Sequence, residues 1–186
     1  MKYFICLIAC FSFSSFANEF EGALKNFIDT KVAEIIANPV LIQAINAQNA
    51  QNANLTQMQI DQLDKDWRSQ VGQTDAPLIN KLLSSPASSE LKSIQQASNG
   101  LITEIFAMDN KGLNVAQSEI TSDYWQGDEE KWQDTYLKGP SAYLIGEIEE
   151  DESTQMFQSQ ISHSVVDPSS GKVIGAITIG VNVEAL

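Results

Sequence analysis

Val173-Ile174-Gly175-Ala176-Ile177-Thr178-Ile179-Gly180-Val181-Asn182-Val183 is the stretch that decides the fold. Its β-branched residues favour an extended strand. Side chains on a strand point alternately to opposite faces. Odd positions carry Val173, Gly175, Ile177, Ile179, Val181 and Val183; even ones carry Ile174, Ala176, Thr178, Gly180 and Asn182. The odd face is bulky and apolar, as packing on helices requires. The even face is small and mildly polar, so loops can cover it or a ligand can occupy the space. Residues 155–166 form the partner strand across the turn Asp167-Pro168-Ser169-Ser170-Gly171. There Phe157, Ser159, Ile161, His163 and Val165 share one face, and Gln158, Gln160, Ser162 and Ser164 the other. Four polar side chains in a row face either water or a wet pocket.

Outward from this hairpin, residues 142–149 supply a third strand. Residues 101–108 and 113–118 form a further hairpin around Asp109-Asn110-Lys111-Gly112. An aromatic and acidic insert, residues 122–136, separates the two groups. In it Asp128 is predicted to cap a helix carrying Trp132 and Tyr136.

Everything upstream reads as helix. Phe20, Leu24, Phe27, Ile28, Val32, Ile35 and Ile36 fall on one helix face, and Asn38-Pro39 opens a second helix. The run Ala47-Gln48-Asn49-Ala50-Gln51-Asn52-Ala53-Asn54 is read as a polar helix surface dissolving into a loop. Thr56 and Gln59 form a capping box before Ile60, Leu63, Trp67 and Val71. Short helices follow over 75–83 and 86–98, and Asn99-Gly100 stops them. The fold class is therefore α+β: an antiparallel five-stranded sheet with long N-terminal helices on one face. Residues 18–98 and 99–186 are expected to form one domain behind a leader of residues 1–17.

That leader has the layout of a secretory signal. Lys2 precedes the apolar run 3–13, and Ser15-Phe16-Ala17 offers small residues for cleavage after Ala17. Leu7-Ile8-Ala9-Cys10 also matches a lipobox, so lipid anchoring at Cys10 stands as the alternative to a periplasmic or secreted product. Both cysteines, Cys6 and Cys10, lie in the leader. The remainder holds none, which excludes a disulfide framework, thiolate catalysis and cysteine-bound zinc. A net charge of −13 opposes nucleic-acid and anionic-lipid partners.

The residues 102–115, the segment Ser122-Asp123-Tyr124-Trp125-Gln126-Gly127-Asp128 through Trp132, and the final hairpin together resemble the Cache family of extracytoplasmic, PAS-like (PDC) sensor domains. The order of the pieces, not a single motif, carries the resemblance. It implies a PAS-like sheet, a ligand cavity between sheet and insert, and a role in ligand sensing and signal transduction. Carried over by position, Asp123, Tyr124, Trp125 and Trp132 would line the pocket, joined by Tyr143 and Gln158 from the strands. Aromatic walls beside a carboxylate suit an amino acid, an amine or another small organic ion. Family members usually drive a kinase, cyclase or chemoreceptor module. Here Leu186 follows directly on the last strand, Val173 to Val183, so output is expected through a partner, a membrane receptor among the candidates, unless the protein only binds.

No enzyme is expected. His163 is the single histidine, G-x-S-x-G is absent, and Ser162 and Ser164 point away from the His163 face. Asp128, Glu129 and Glu130 lack EF-hand spacing, and neither metal nor cofactor is assigned. The alternative function is a structural or protein-interaction module without a small-molecule ligand. A dry, filled space between insert and sheet would favour it.

Overall fold

The computed structural model describes residues 17–150 and 156–186. The leader and its cleavage site thus lie largely outside the described residues, as does part of the acidic run 149–152. Among the described residues five strands form one antiparallel sheet: β1 (Ile102–Met108), β2 (Asn114–Gln117), β3 (Tyr143–Glu150), β4 (Phe157–Val166) and β5 (Val173–Asn182). Their spatial order is β2-β1-β5-β4-β3. The α+β class and PAS-like sheet read from the sequence are what the chain adopts.

From Ala176 on, the alternation along β5 does what the sequence requires, while Ile174 joins the main core from an even position. Ile177, Ile179, Val181 and Val183 join Ile161 and Val165 of β4 in the main core. This core is closed by Leu24, Phe27, Val32 and Ile35 of the N-terminal helix, Leu41 and Ile45 of the next, and Leu91. Ala176 instead packs with Phe106 and Met108 on the opposite face, beneath Trp132 and Tyr136.

The helices begin where their caps predict. α3 (Pro39–Gln51) has the Asn38 side chain accepting from Val40 and Leu41 N–H. α4 (Gln57–Gln70) opens on the Thr56–Gln59 capping box. α5 (Pro77–Leu83) and α6 (Pro86–Ala97) complete the helical layer, the latter capped by Ser85.

Three local readings need correction. The first helix is not regular: α1 (Ala17–Phe27) and α2 (Ala33–Ile36) are joined by a π-helical turn, Ile28–Val32. No proline or glycine marks it, but Thr30 bonds back to the Asn26 carbonyl at 2.7 Å, a contact that commonly distorts helices. The Gln/Asn run does leave the helix, since α3 ends at Gln51 and residues 52–54 form a turn, but it is not a surface: Gln48, Asn49 and Asn52 point inward to bond Asp109, the Leu113 and Asn114 carbonyls and the Ile174 carbonyl. Amides at this spacing can satisfy buried backbone groups that hydrophobic residues could not. Finally, the insert helix α7 is short (Glu130–Gln133), follows Glu129 rather than Asp128, and leaves Tyr136 in a 3₁₀ turn. Trp132 and Tyr136 nevertheless stack, with ring centroids 4.9 Å apart.

Candidate functional site

The β1–β2 turn is the hub of the site. Asp109 is fully buried. Its Oδ1 accepts the N–H groups of Lys111 (2.8 Å) and Leu113 (3.0 Å), and its Oδ2 accepts the amides of Gln48 (3.1 Å) and Asn52 (3.0 Å). Four donors disperse a charge that burial would otherwise make costly. Gly112 has φ +82°, and a β-carbon there would lie 2.5 Å from the Gly127 Cα. A glycine is thus required for the turn to meet the insert so closely. The contact is sealed by Gln126 N–H donating to the Gly112 carbonyl at 2.8 Å and by a bridge between Leu113 and Trp125.

Carbonyls of the turn hold both insert tryptophans. Trp125 Nε1 donates to the Lys111 carbonyl at 2.8 Å, and Trp132 Nε1 donates to the Asp109 carbonyl at 3.0 Å. Each indole is thereby fixed at its polar edge, and Trp132 is further held by its stacking on Tyr136. Together with Leu55, Gln57, Ile60, Lys111 and Gly127 the two indoles line a cleft of about 430 Å³. Lys111 brings an ammonium to this cleft, donating to the Leu55 carbonyl at 3.3 Å.

Behind the cleft, α4 fixes the insert. Asp64 accepts the N–H groups of Tyr124 (2.9 Å) and Trp125 (3.1 Å) and pairs with Arg68 at 2.7 Å. That hydrogen bond raises the Arg68 guanidinium above its ordinary value. Asp123 pairs with Arg68 at 3.4 Å and takes a hydrogen bond from Gln126. Tyr124 is buried and stacked on Trp67 at 5.2 Å; burial, helped by the Asp109 charge, pushes its hydroxyl up to about 12. Asp64 was not singled out from the sequence. Its position on the Ile60–Trp67 face of α4 was the available signal, since a carboxylate next to a buried stripe needs buried donors.

The six residues carried over by position fall in three places. Trp125 and Trp132 line the cleft. Asp123 and Tyr124 stand behind it, engaged with Arg68 and Trp67. Tyr143 and Gln158 lie apart from both. Tyr143 is paired with His163 in register and stacked on it at 6.5 Å, on the side of the sheet that carries Ile161 and Val165. Gln158 lies on the opposite side, where it accepts from the Thr103 hydroxyl at 2.7 Å.

That second side is divided. Phe106, Met108 and Ala176 fill the space beneath Trp132 and Tyr136. Ser162 and Thr178 share a buried hydrogen bond of 2.9 Å, and Ser164 is buried beside them. Gln160, half-buried, donates to Glu104 at 2.9 Å. The polar face of β4 is therefore neither wholly solvated nor wholly enclosed. Among the described residues, no group of three histidine, cysteine or acidic side chains is placed to hold a metal. No described helix is long and apolar enough to cross a membrane.

The solved structures to which the chain is similar include sensor and ligand-binding domains of a histidine kinase and of chemoreceptors. Particular examples are the sensor domain of the V. cholerae histidine kinase DctB, 15% identical with a TM-score of 0.45, covering 90% of this chain and 56% of that one. The ligand-binding domain of the Campylobacter jejuni chemoreceptor Tlp3 in complex with L-valine is 18% identical, with a TM-score of 0.37 and coverage of 89% and 62%. The Pseudomonas aeruginosa amino acid chemoreceptor PctC, in complex with GABA, gives 12%, 0.36, 88% and 60%. The chain thus spans 56–62% of the length of these structures. No protein-family model and no curated protein matches it.

Proposed function

We propose that the chain is an exported, non-enzymatic, sensor-type protein that binds a small organic ion in the tryptophan cleft and presents its ligand state to a partner. One observation carries this reading: two indoles, each pinned at its N–H to the same turn, wall a cleft of about 430 Å³ that also holds the Lys111 ammonium. A rigid aromatic wall with one charge is the usual composition of a small-molecule site. The ligand then has an apolar body lying on the indoles and an anionic group, such as the carboxylate of an amino acid, at Lys111. Asp123 and Tyr124 act by holding the wall in place. Export through the 1–17 leader to the periplasm or the cell exterior completes the proposal.

Thermal-shift screening against amino acids, amines and carboxylates is the first experiment, because a ligand stabilises the folded state by RT ln(1 + [L]/Kd). Lys111→Met is expected to abolish the shift given by carboxylates, and Trp125→Ala to reduce it. Shifts that survive both changes would remove the ligand from this cleft. A module with no ligand remains the second reading, favoured by the filled space under Trp132 and Tyr136.

A further inference from the structure

A second cleft, of about 410 Å³, lies between the N-terminal helix and α6, on the helical side of the sheet. Its walls are apolar: Phe27 and Ile35 from the first helix, Ile94 from α6 and Leu101 before β1. The π turn helps to shape its mouth. Val32 and Ile35 enter the core, fully or almost fully buried, whereas Lys31 and Glu34 stay exposed and border the opening. Those two charges are paired with each other at 3.6 Å.

Glu90 is the remaining charge at the mouth, and it differs from them. It is half-buried, and its Oε1 accepts from Asn38 Nδ2 at 3.0 Å. Asn38 is itself held as the cap of α3, with Oδ1 accepting from Val40 N–H at 2.9 Å. The carboxylate is therefore oriented by a residue that is already fixed. Among the described residues no cation pairs with it, and Lys92, two positions along α6, is engaged by Glu119. The mouth bears two carboxylates against one ammonium, within a chain of net charge −13. Such a field enriches cations and repels anions.

We infer that this cleft is a second ligand site, independent of the tryptophan cleft, that takes a small amphiphilic ammonium ion: the alkyl body lies against Phe27, Ile35, Ile94 and Leu101, and the ammonium pairs with Glu90. Apolar walls alone would accept any alkyl chain. The preorganised carboxylate at the rim supplies the selection for a positive head group.

Isothermal titration of the purified protein with n-hexylammonium, hexanoate and 1-hexanol tests this. One equivalent of n-hexylammonium is expected to bind, and the anion and the alcohol at least about tenfold more weakly. Glu90→Gln should weaken the amine about tenfold, the effect of losing one charge-assisted contact. Lys31→Met should strengthen it two- to threefold, because a competing positive charge is gone; this arm stands even if Glu90→Gln disturbs folding. Trp125→Ala should leave amine binding unchanged. Equal affinity for hexanoate, no binding of the amine, or unchanged affinity in both Glu90→Gln and Lys31→Met would overturn the assignment. Loss of amine binding in Trp125→Ala would place the amine in the tryptophan cleft and overturn it as well. Failure here leaves the carboxylate screen at Lys111 untouched, so the two sites are judged separately.

Discussion

Replacing Asp109 by alanine should cost more stability than any other single truncation of a polar side chain in this protein. The residue is fully buried and is the acceptor for four donors, at 2.8, 3.0, 3.0 and 3.1 Å. Each buried donor left without a partner costs about 1–3 kcal/mol. The Lys111 and Leu113 N–H groups sit in a tight turn and cannot swing to water, whereas the Gln48 and Asn52 amides can partly re-pair with nearby carbonyls. A loss of about 3–5 kcal/mol follows for Asp109→Ala. Asp109→Asn keeps one oxygen for the backbone donors but sets an NH₂ group against the two amides, and should lose about 2–3 kcal/mol. Gln48→Ala removes one donor, so the double variant should lose less than the sum of the two singles. Urea unfolding followed by circular dichroism measures each value, with the slope expected to stay constant. An unfolding free energy for Asp109→Ala within about 0.5 kcal/mol of wild type, or strict additivity in the cycle, would refute the picture of the turn as a hub.

Two further predictions follow from the packing. The raised Tyr124 hydroxyl makes folding alkali-sensitive: the unfolded chain releases this proton near its ordinary value of 10.0 and the folded chain near 12, so stability present below pH 10 is lost as pH rises toward 12. That difference amounts to about 2–3 kcal/mol, and Tyr124→Phe should flatten this part of the pH–stability curve; an unchanged slope between pH 10 and 12 would exclude Tyr124 as its source. Ile35 is 4% exposed on the helix that closes the main core, so Ile35→Asp should cost several kcal/mol by burying an unpaired carboxylate, and thermal melts that overlay wild type would show that this helix does not pack there.

The sheet was legible because β5 states its own packing: bulky residues at odd positions, small ones at even positions, and a turn signal before it. Caps were legible for the same local reason, since Asn38 and Thr56 act on N–H groups within three residues. What escaped the sequence was non-local. The inward role of Gln48, Asn49 and Asn52 depends on a turn some sixty residues away and on β5, and nothing in a Gln/Asn run specifies which amides will find buried partners. The π turn holds no proline or glycine, and the back-bond of Thr30 to the Asn26 carbonyl is not announced by a threonine in a helical pattern. Within the insert, the aromatic and acidic types were visible, but their division of labour was not. Asp123 met Arg68 from another helix, Tyr124 met Trp67, and only the two tryptophans turned to the cleft. Lys111, the cleft's charge, sat in a turn that reads simply as a turn.

The three tryptophans allow the central claim to be tested with an internal control, because each indole N–H is bonded to a backbone carbonyl: Trp67 to Thr121 at 2.9 Å, Trp125 to Lys111 at 2.8 Å and Trp132 to Asp109 at 3.0 Å. Nitrogen-15 labelling of the indoles gives one resolved NMR signal for each. On titration with the carboxylate or amino acid that stabilises the protein most in the thermal-shift screen, the account predicts saturable shifts of the Trp125 and Trp132 signals with one common Kd, while the buried Trp67 signal stays in place. A ligand that binds by calorimetry yet leaves the Trp125 and Trp132 signals unmoved would contradict it.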